Sequence, residues 1–404
     1  MRFHRNLVEG VAEVLERIFN SGIYADKALE QQFRKNRQWG SRDRGFVAET
    51  VYEIVRWKRL YAEVGEITPP FKKKDYYRYF AVWVLLNDQV LPNWPEFKGL
   101  KKEAVLSRYK PLKKVRKYRE SVPDWLDSLG EAGLGSELWT RELAALNEQA
   151  PVILRANRLL ISPETLQEKL KEEGIGTDLV PGYPDALQLQ QRGNVFRTDS
   201  FKEGFFEVQD AASQTVAPFL EVVPGMRVID ACAGAGGKTL HLAALMKNKG
   251  QLIALDIYPQ KLQELKKRAK RAKAFNIETR LITDAKVVKR LKGSADRVLI
   301  DAPCTGLGVL RRNPDAKWKL ESSFLERVCE TQQELLANYS ALVKKGGLLV
   351  YATCSILPSE NTRQVEAFLK SPQGKCFRLV EERSLYASVD GFDGFYTARL
   401  ERVD

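Results

Sequence analysis

Histidine is almost absent from this chain of 404 residues, because only His4 and His241 occur. The five cysteines are scattered, and no two of them stand at the Cys-x-x-Cys spacing. Protein zinc sites need clusters of such ligands, so we expect no metal site. An odd number of widely spaced cysteines also does not fit a disulfide framework, which favours a reducing, cytoplasmic setting.

Long hydrophobic runs are lacking as well. No apolar stretch approaches the roughly 20 residues that a helix needs to cross a bilayer. Near the N-terminus, apolar residues from Leu7 to Ile18 recur at helical spacing with charges between them. This pattern predicts an amphipathic helix rather than a signal peptide, and we expect no membrane partner.

Positive charge is what the chain has in excess. It carries 65 Lys and Arg against 52 Asp and Glu, a formal net charge of +13. Neutralising phosphates releases counterions, so a nucleic acid is the favoured partner. Basic clusters at 72–74 and 110–119 have tyrosines among or beside them and suit contacts to phosphates and stacked bases, although each cluster could instead be a solvated helix face. These tyrosines are Tyr76, Tyr77, Tyr79, Tyr109 and Tyr118. No oligomeric state follows from these patterns, so a monomer is the default expectation.

Three different sequence patterns follow one another along the chain and predict a multi-domain protein. Residues 1–145 are typical of a helical domain, and residues 150–210 of a small α+β segment. Residues 211–404 alternate apolar strands with amphipathic helices, which predicts a doubly wound α/β sheet of the Rossmann-like type. The strand candidates are Arg227 to Ala231, Leu252 to Asp256, Arg280 to Thr283, Asp296 to Ile300, Leu348 to Ala352 and, as an antiparallel strand closing one edge, Phe395 to Val403.

A glycine-rich turn after the first of these strands indicates a ligand site. Glycines let a backbone approach a ligand, and the following helix offers free N–H groups, although a tight turn without a ligand would look similar. The spacing fits neither a Walker A motif nor GxGxxG, which disfavours ATP and an NAD-linked reductase. Later strands end near Asp256, Asp284 and Asp301. These acids suit the ribose and amines of a nucleoside such as S-adenosylmethionine.

Two cysteines fall at neighbouring strand ends. Cys304 follows Asp301 in Asp-Ala-Pro-Cys-Thr-Gly, and Cys354 lies in Tyr-Ala-Thr-Cys-Ser. A thiolate that adds to C6 of cytosine makes C5 able to take a methyl group, and a base then removes the C5 proton so that the thiol leaves. Asp301 is the candidate for orienting the base. The residues alone leave open which cysteine attacks, and small buried cysteines are the structural alternative, which we prefer for Cys329 and Cys376.

Four stretches resemble the Nop/Sun family of RNA (cytosine-5) methyltransferases, in particular the bacterial type that acts on small-subunit ribosomal RNA. They are VQDAASQ (Val208 to Gln214), DACAGAGGKT (Asp230 to Thr239), DAPCTGLGVLRRNPDAKW (Asp301 to Trp318) and YATCS (Tyr351 to Ser355). More loosely, RDRGFVAETVYEIVRW (Arg42 to Trp57) resembles the NusB-like RNA-binding domain of bacterial members.

The resemblance implies roles for particular residues. Cys354 would attack C6, Cys304 would assist release of the RNA, and S-adenosylmethionine would be the cofactor. The implied cofactor contacts are Cys232, Ala233, Gly234, Ala235, Gly236, Gly237, Lys238, Asp256, Asp284 and Asp301. Gly234-Ala235 departs from the Ala-Pro that is usual in the family, which predicts a looser loop and weaker cofactor binding.

Three other functions remain open at this point. A DNA cytosine methyltransferase would use Cys304 as its nucleophile and would leave the Thr-Cys-Ser motif unexplained. A tRNA cytosine-5 methyltransferase would share the chemistry with a different substrate. A non-catalytic RNA-binding ribosome assembly factor could keep the fold, although the retained cysteines and acids argue against it.

Overall fold

The computed structural model describes residues 3–404, which form two compact units. The helical unit comprises Met1–Glu148 together with Leu310–Ser322, and the sheet unit comprises Gln149–Val309 and Ser323–Asp404. Within the described residues, every helix is too short or too polar to cross a lipid bilayer. The predicted combination of a helical N-terminal region with a Rossmann-like sheet is confirmed.

The helical unit is built from amphipathic helices around one core. The first helix buries Leu7, Val11 and Leu15 at the spacing seen in the sequence. Tyr76, Tyr77 and Tyr79 are also buried, so the prediction that they interleave with lysines for base stacking is wrong; they are core residues. The helices are Arg5–Phe19, Ala25–Lys35, Ser41–Arg56, Lys58–Gly65, Lys73–Leu86, Lys102–Leu112, Arg116–Arg119, Asp124–Leu134 and Ser136–Leu146.

The segment Leu310–Ser322 belongs to the helical unit although it lies far along the chain. The Trp318 indole donates to the Val55 carbonyl oxygen at 2.7 Å, and the Asp315 carboxylate accepts from the Ala25 amide at 3.0 Å. Asp315 is only 3% exposed. These contacts make the segment an integral part of that unit's packing. The sequence-based division did not include this segment, the excursion Leu310–Ser322, in the helical domain.

A small antiparallel sheet opens the sheet unit. Its strands are β1 (Ile153–Ala156), β2 (Thr177–Leu179), β3 (Ala186–Leu189) and β4 (Phe206–Val208), in the order β2-β3-β1-β4. The helix Pro163–Glu172 packs its apolar face on this sheet through Leu166 and Leu170.

The large sheet has seven strands in the order β10-β11-β9-β8-β5-β6-β7. The five strands from β9 to β7 in that order are parallel, and β11 and β10 are added antiparallel. The parallel strands at the centre are apolar on both faces because helices cover both faces. The strands are β5 (Arg227–Asp230), β6 (Gln251–Asp256), β7 (Ile277–Leu281), β8 (Ala295–Asp301), β9 (Val343–Thr353), β10 (Phe377–Leu385) and β11 (Phe395–Arg402).

Helices connect these strands and complete the layers. They are Asp199–Lys202, Ala211–Gln214, Val216–Phe219, Gly237–Leu245, Pro259–Arg271, Ala285–Lys289, Ser322–Tyr339, Thr362–Lys370 and Ala387–Asp390, with Ala316–Lys319 in the excursion.

Two sequence-based expectations at the sheet's margins are corrected. The last strand was expected to close one edge, but β11 lies between β9 and β10, and β10 forms the edge. Most residues of β10 are solvent-exposed, so this strand lacks the apolar signal of a central one. At the opposite edge, β7 spans Ile277–Leu281 and not Arg280 to Thr283, because its half-buried residues show no continuous apolar run.

Candidate active site

The carboxyl ends of β5, β6 and β8 open on a cavity of about 710 Å³ within the sheet unit. Its wall includes the loop after β5, the acids Asp256 and Asp301, and the side chain of Cys304. Of the predicted cofactor contacts, the cavity wall contains Cys232, Ala233, Gly234, Ala235, Gly237, Lys238, Asp256 and Asp301. The structure thus brings most of the predicted set together around one space.

The glycine loop is shaped by two residues in the left-handed region. Gly234 has φ +56° with open space where a Cβ would stand, and Gly236 has φ +89°. A Cβ on Gly236 would lie 2.6 Å from Leu265 Cγ, so this turn requires glycine, although Gly236 itself does not line the cavity. Arg268 donates to the Ala235 carbonyl oxygen at 2.8 Å, which anchors the loop where the usual proline is missing.

The acids at the strand ends divide into two kinds. The Asp256 carboxylate accepts from the amides of Gly234 and Tyr258, both at 2.8 Å, and it faces the cavity. Asp284 is exposed and is not among the cavity residues; its Oδ1 accepts from the Lys286 amide at 2.7 Å and caps the next helix. The structure therefore does not bring Asp284 to the other predicted contacts; β7 ends two residues earlier than the sequence suggested.

Asp301 is paired with Lys238 across the cavity wall. Lys238 Nζ donates to Asp301 Oδ2 at 2.7 Å, and the ammonium stands 5.1 Å from the centre of the Phe395 ring. Burial opposes the charge of Lys238, but the neighbouring Asp301 carboxylate outweighs it and raises the pKa of Lys238. The lysine therefore stays charged and ties the glycine loop to the strand that carries Asp301.

The two predicted cysteines meet at the ends of β8 and β9. These strands are parallel neighbours, with Asp301 opposite Ala352, and the Sγ atoms of Cys304 and Cys354 lie 3.2 Å apart. The contact with Cys354 and burial raise the pKa of the Cys304 thiol well above its ordinary value. Cys304 is therefore held as a thiol beside Cys354, and it also borders the cavity of the cofactor loop.

The remaining cysteines lie apart from this pair. Burial, with the nearby Asp230 charge, raises the pKa of Cys232 well above its ordinary value, so it lines the cavity as a neutral group. Cys329 contacts the Ser359 carbonyl oxygen at 3.5 Å, and Cys376 contacts the Gln373 carbonyl oxygen at 3.2 Å.

Several residues of the site were not found from the sequence. Side chains of helices and loops complete the cavity wall, and the sequence-based set of cofactor contacts did not include them. They include Gln209, Tyr258, Lys261, Phe324 and Arg327. Glu360, which is fully buried beside the cysteine loops, was also missed. Its nearness to the Thr-Cys-Ser motif in the sequence was the available signal.

Asp230 at the end of β5 makes stability depend on pH. Its Oδ2 accepts from the Thr239 hydroxyl at 2.7 Å, and burial raises its pKa to about 7. Because the folded pKa lies above the unfolded value, the stabilising contribution of the protonated acid is complete near pH 4 and is lost as the pH rises through about 7. We expect Asp230→Asn to unfold less readily than the wild type at pH 8, by at most about 4 kcal/mol, and to match it near pH 4.

Chemical unfolding at pH 4, 6 and 8 would measure this difference. The matched control is Asp296→Asn on β8. Burial opposes the Asp296 charge, but Lys344 and the Arg227 amide outweigh burial and lower the pKa of Asp296. Its stabilising effect is lost as the pH falls, so the two variants should differ from the wild type with opposite pH trends. The same trend in both variants would contradict the assignment.

The family models and the curated relatives that match this chain all indicate the same family. The family model described as 16S rRNA methyltransferase RsmB/F matches residues 217–401, and a Methyltr_RsmF/B-like, ferredoxin-like domain matches residues 122–196. A probable ribosomal RNA small subunit methyltransferase B of Synechocystis is 30% identical over 96% of this chain and 98% of its own length. The ribosomal RNA small subunit methyltransferase B of Pseudomonas putida is 35% identical over 70% of this chain and 67% of its own length.

Solved structures agree on the fold. The crystal structure of PH0851 matches 99% of this chain and 99% of its own with a TM-score of 0.83 at 24% identity. The structure of NSun6 from Pyrococcus horikoshii with SFG matches 71% of this chain and all of its own with a TM-score of 0.65 at 22% identity. The resemblance stated from the motifs is confirmed: the chain belongs to the family of 16S rRNA methyltransferases RsmB/F, and it is an RNA methyltransferase that uses S-adenosylmethionine.

Proposed function

We propose that this enzyme methylates C5 of a cytosine in small-subunit ribosomal RNA through a covalent bond between Cys354 and C6. The observation that carries the proposal is the 3.2 Å contact between Cys354 and Cys304, which itself lines the cavity of the glycine loop. A pair of thiols at adjacent strand ends suits one addition and one elimination on the same base. The substrate class is taken from the names of the relatives described above.

The division of labour between the cysteines is taken from the family resemblance, in which the cysteine of the Thr-Cys-Ser motif, Cys354, attacks C6. The contact with Cys354 and burial raise the pKa of the Cys304 thiol, which favours its protonated form and agrees with a supporting role. After C5 has been methylated, a base takes the C5 proton, and the electron pair left behind re-forms the C5–C6 double bond as the Cys354 thiolate leaves. Cys304 is in contact with Cys354 and is placed to assist that elimination. Asp301, held by Lys238, would orient the base.

The cavity suits the cofactor in size and in chemistry. Its volume of about 710 Å³ is within the range of small-molecule sites, roughly 300 to 1,000 Å³. The loop from Cys232 to Gly237 leaves open space at Gly234, and the Asp256 carboxylate, which lines the cavity, still has acceptor capacity for ribose hydroxyls. S-adenosylmethionine supplies the methyl group when it is bound there.

The helical unit supplies positive charge for RNA binding. Lys72, Lys73 and Lys74 are exposed, as are Lys113 and Lys114. We infer that these lysines contact phosphates, and that recognition of the base takes place in the sheet unit, where a cytosine flipped out of its stack would meet the cysteines.

The test uses the full chain with methyl-labelled S-adenosylmethionine and deproteinised RNA. We expect label in small-subunit ribosomal RNA, and bisulfite sequencing of RNA from a deletion strain should lose one protected cytosine there. Loss of a protected tRNA cytosine instead would favour the tRNA alternative. RNA binding without methylation would favour the assembly factor, and methylation of DNA would overturn the proposal.

A further inference from the structure

Glu360 stands between the two loops that carry the catalytic cysteines. It follows β9 and is fully buried, with no exposed surface. Its Oε2 accepts from the Thr305 amide at 2.8 Å, and its Oε1 accepts from the Thr305 hydroxyl at 2.5 Å. The Ser355 hydroxyl also donates to Oε1. Thr305 is the neighbour of Cys304, and Ser355 is the neighbour of Cys354, so one carboxylate joins both loops.

The neighbouring residue Asn361 strengthens the same arrangement from the β9 side. Its Oδ1 accepts from the Thr353 hydroxyl at 2.6 Å, and its Nδ2 donates to the Ser355 carbonyl oxygen at 2.9 Å. The two residues that flank Cys354 are therefore both held by Asn361. Asn361 therefore acts on Cys354 indirectly, by holding the residues on either side of it.

Gln332 completes the surroundings from the helix Ser322–Tyr339. Its Nε2 donates to Glu360 Oε2 at 3.2 Å and to the Pro303 carbonyl oxygen at 2.9 Å. Pro303 precedes Cys304, so this cysteine too has both neighbours connected to Glu360, one directly and one through Gln332.

A buried carboxylate is unfavourable unless donors surround it. Here a backbone amide, two hydroxyls and a side-chain amide do so; the first three belong to the cysteine loops, and the fourth bridges to one of them. An ionised carboxylate only accepts hydrogen bonds, so it orients all of these donors at once. A glutamine of the same shape lacks the charge that strengthens these hydrogen bonds, and its NH₂ group would force the Thr305 and Ser355 hydroxyls to accept instead of donate.

We propose that Glu360 is a positioning residue that holds the Cys304 and Cys354 loops at one fixed separation. This inference rests on the proposed function, in which both thiols must act on the same base. Glu360 touches neither the cofactor cavity nor a sulfur atom by hydrogen bonding; it acts through Thr305 and Ser355. Its loss should therefore affect turnover and not cofactor binding.

The principal variant is Glu360→Gln, with Glu366→Gln as the matched control. Glu366 lies on the following helix and is exposed, so the control removes the same charge without touching the loops. We expect Glu360→Gln to lower kcat by about 10- to 100-fold, because misplacing a reacting group by about 1 Å can cost a factor of that size. The KM for S-adenosylmethionine should stay within about two-fold of the wild type, because the cavity residues are unchanged.

Thr305→Ser and Thr305→Val provide a second comparison if Glu360→Gln folds poorly. The serine variant keeps the hydroxyl that donates to Glu360 and should retain turnover, whereas the valine variant removes it and should lose turnover. Equal turnover in these two variants, or a wild-type kcat in folded Glu360→Gln, would overturn the proposal. A rise in KM without a change in kcat would also overturn it.

A readout that does not depend on methylation separates this inference from the proposed function. Diamide oxidises two adjacent thiols to a disulfide, whose S–S bond of about 2.05 Å is shorter than the present contact by little more than 1 Å. We expect the Cys304–Cys354 disulfide, followed by peptide mass spectrometry, to form at least several-fold more slowly in Glu360→Gln than in the wild type or Glu366→Gln. Equal rates would refute the positioning role even if no cytosine substrate were found.

Discussion

Replacing Cys354 with alanine should abolish methylation and leave no covalent protein–RNA adduct. The cysteine is assigned as the group that adds to C6, and without that addition C5 is too weak a nucleophile. We expect a loss of at least about 1,000-fold in turnover, as is common when an enzyme's covalent nucleophile is removed. Incorporation of labelled methyl groups into RNA and a denaturing gel of the same reaction would measure both effects.

The control for this experiment is Cys329→Ala. Cys329 lies in the helix Ser322–Tyr339 and contacts the Ser359 carbonyl oxygen, whereas Cys354 contacts the Cys304 thiol. That variant should keep its activity. Residual methylation by Cys354→Ala, together with a complete loss in Cys304→Ala, would reverse the roles and favour the arrangement of the DNA enzymes.

Replacing Cys304 with alanine should have the opposite signature, an adduct that accumulates. Cys354 would remain to attack C6, but the thiol placed 3.2 Å from it to assist elimination would be gone. The enzyme should then stop after one turnover with the RNA attached. A denaturation-resistant band that contains both protein and RNA is the expected observation, and its amount should approach one RNA per active enzyme molecule.

The double variant Cys304→Ala/Cys354→Ala shows which residue forms the covalent bond in the protein–RNA band. If the adduct forms through Cys354, the double variant should give no band. A band that persists in the double variant would show that another residue forms the bond, and that the cysteine pair has a different purpose.

The sequence predicted the core of the site well because the relevant residues stand at the ends of apolar strands. Such strands can be recognised from hydrophobic runs, and a parallel sheet brings their carboxyl ends to one edge. That reasoning predicts that Cys304, Cys354, Asp256 and Asp301 lie at one edge of the sheet. It could not choose between the cysteines, and that choice came from the family resemblance.

The failures have equally physical reasons. Asp284 follows an edge strand with weak apolar character, so the end of that strand was placed too late, and the structure has Asp284 capping the next helix outside the cavity wall. The strand β10 is mostly exposed and has no core pattern. Glu360 belongs to a loop, and its meaning depends on hydrogen bonds to residues up to 55 positions away, which no local pattern contains.

The excursion Leu310–Ser322 limits where this protein can be truncated or recombined. A chain beginning at Gln149 would retain the excursion but lose the N-terminal helices against which it packs. The Trp318 indole and the Asp315 carboxylate would be left without the Val55 carbonyl and the Ala25 amide that they bind. An exposed tryptophan and stranded polar groups favour aggregation. The helical unit is therefore not a detachable module, and an exchange of N-terminal regions between relatives would have to carry this distant segment with it.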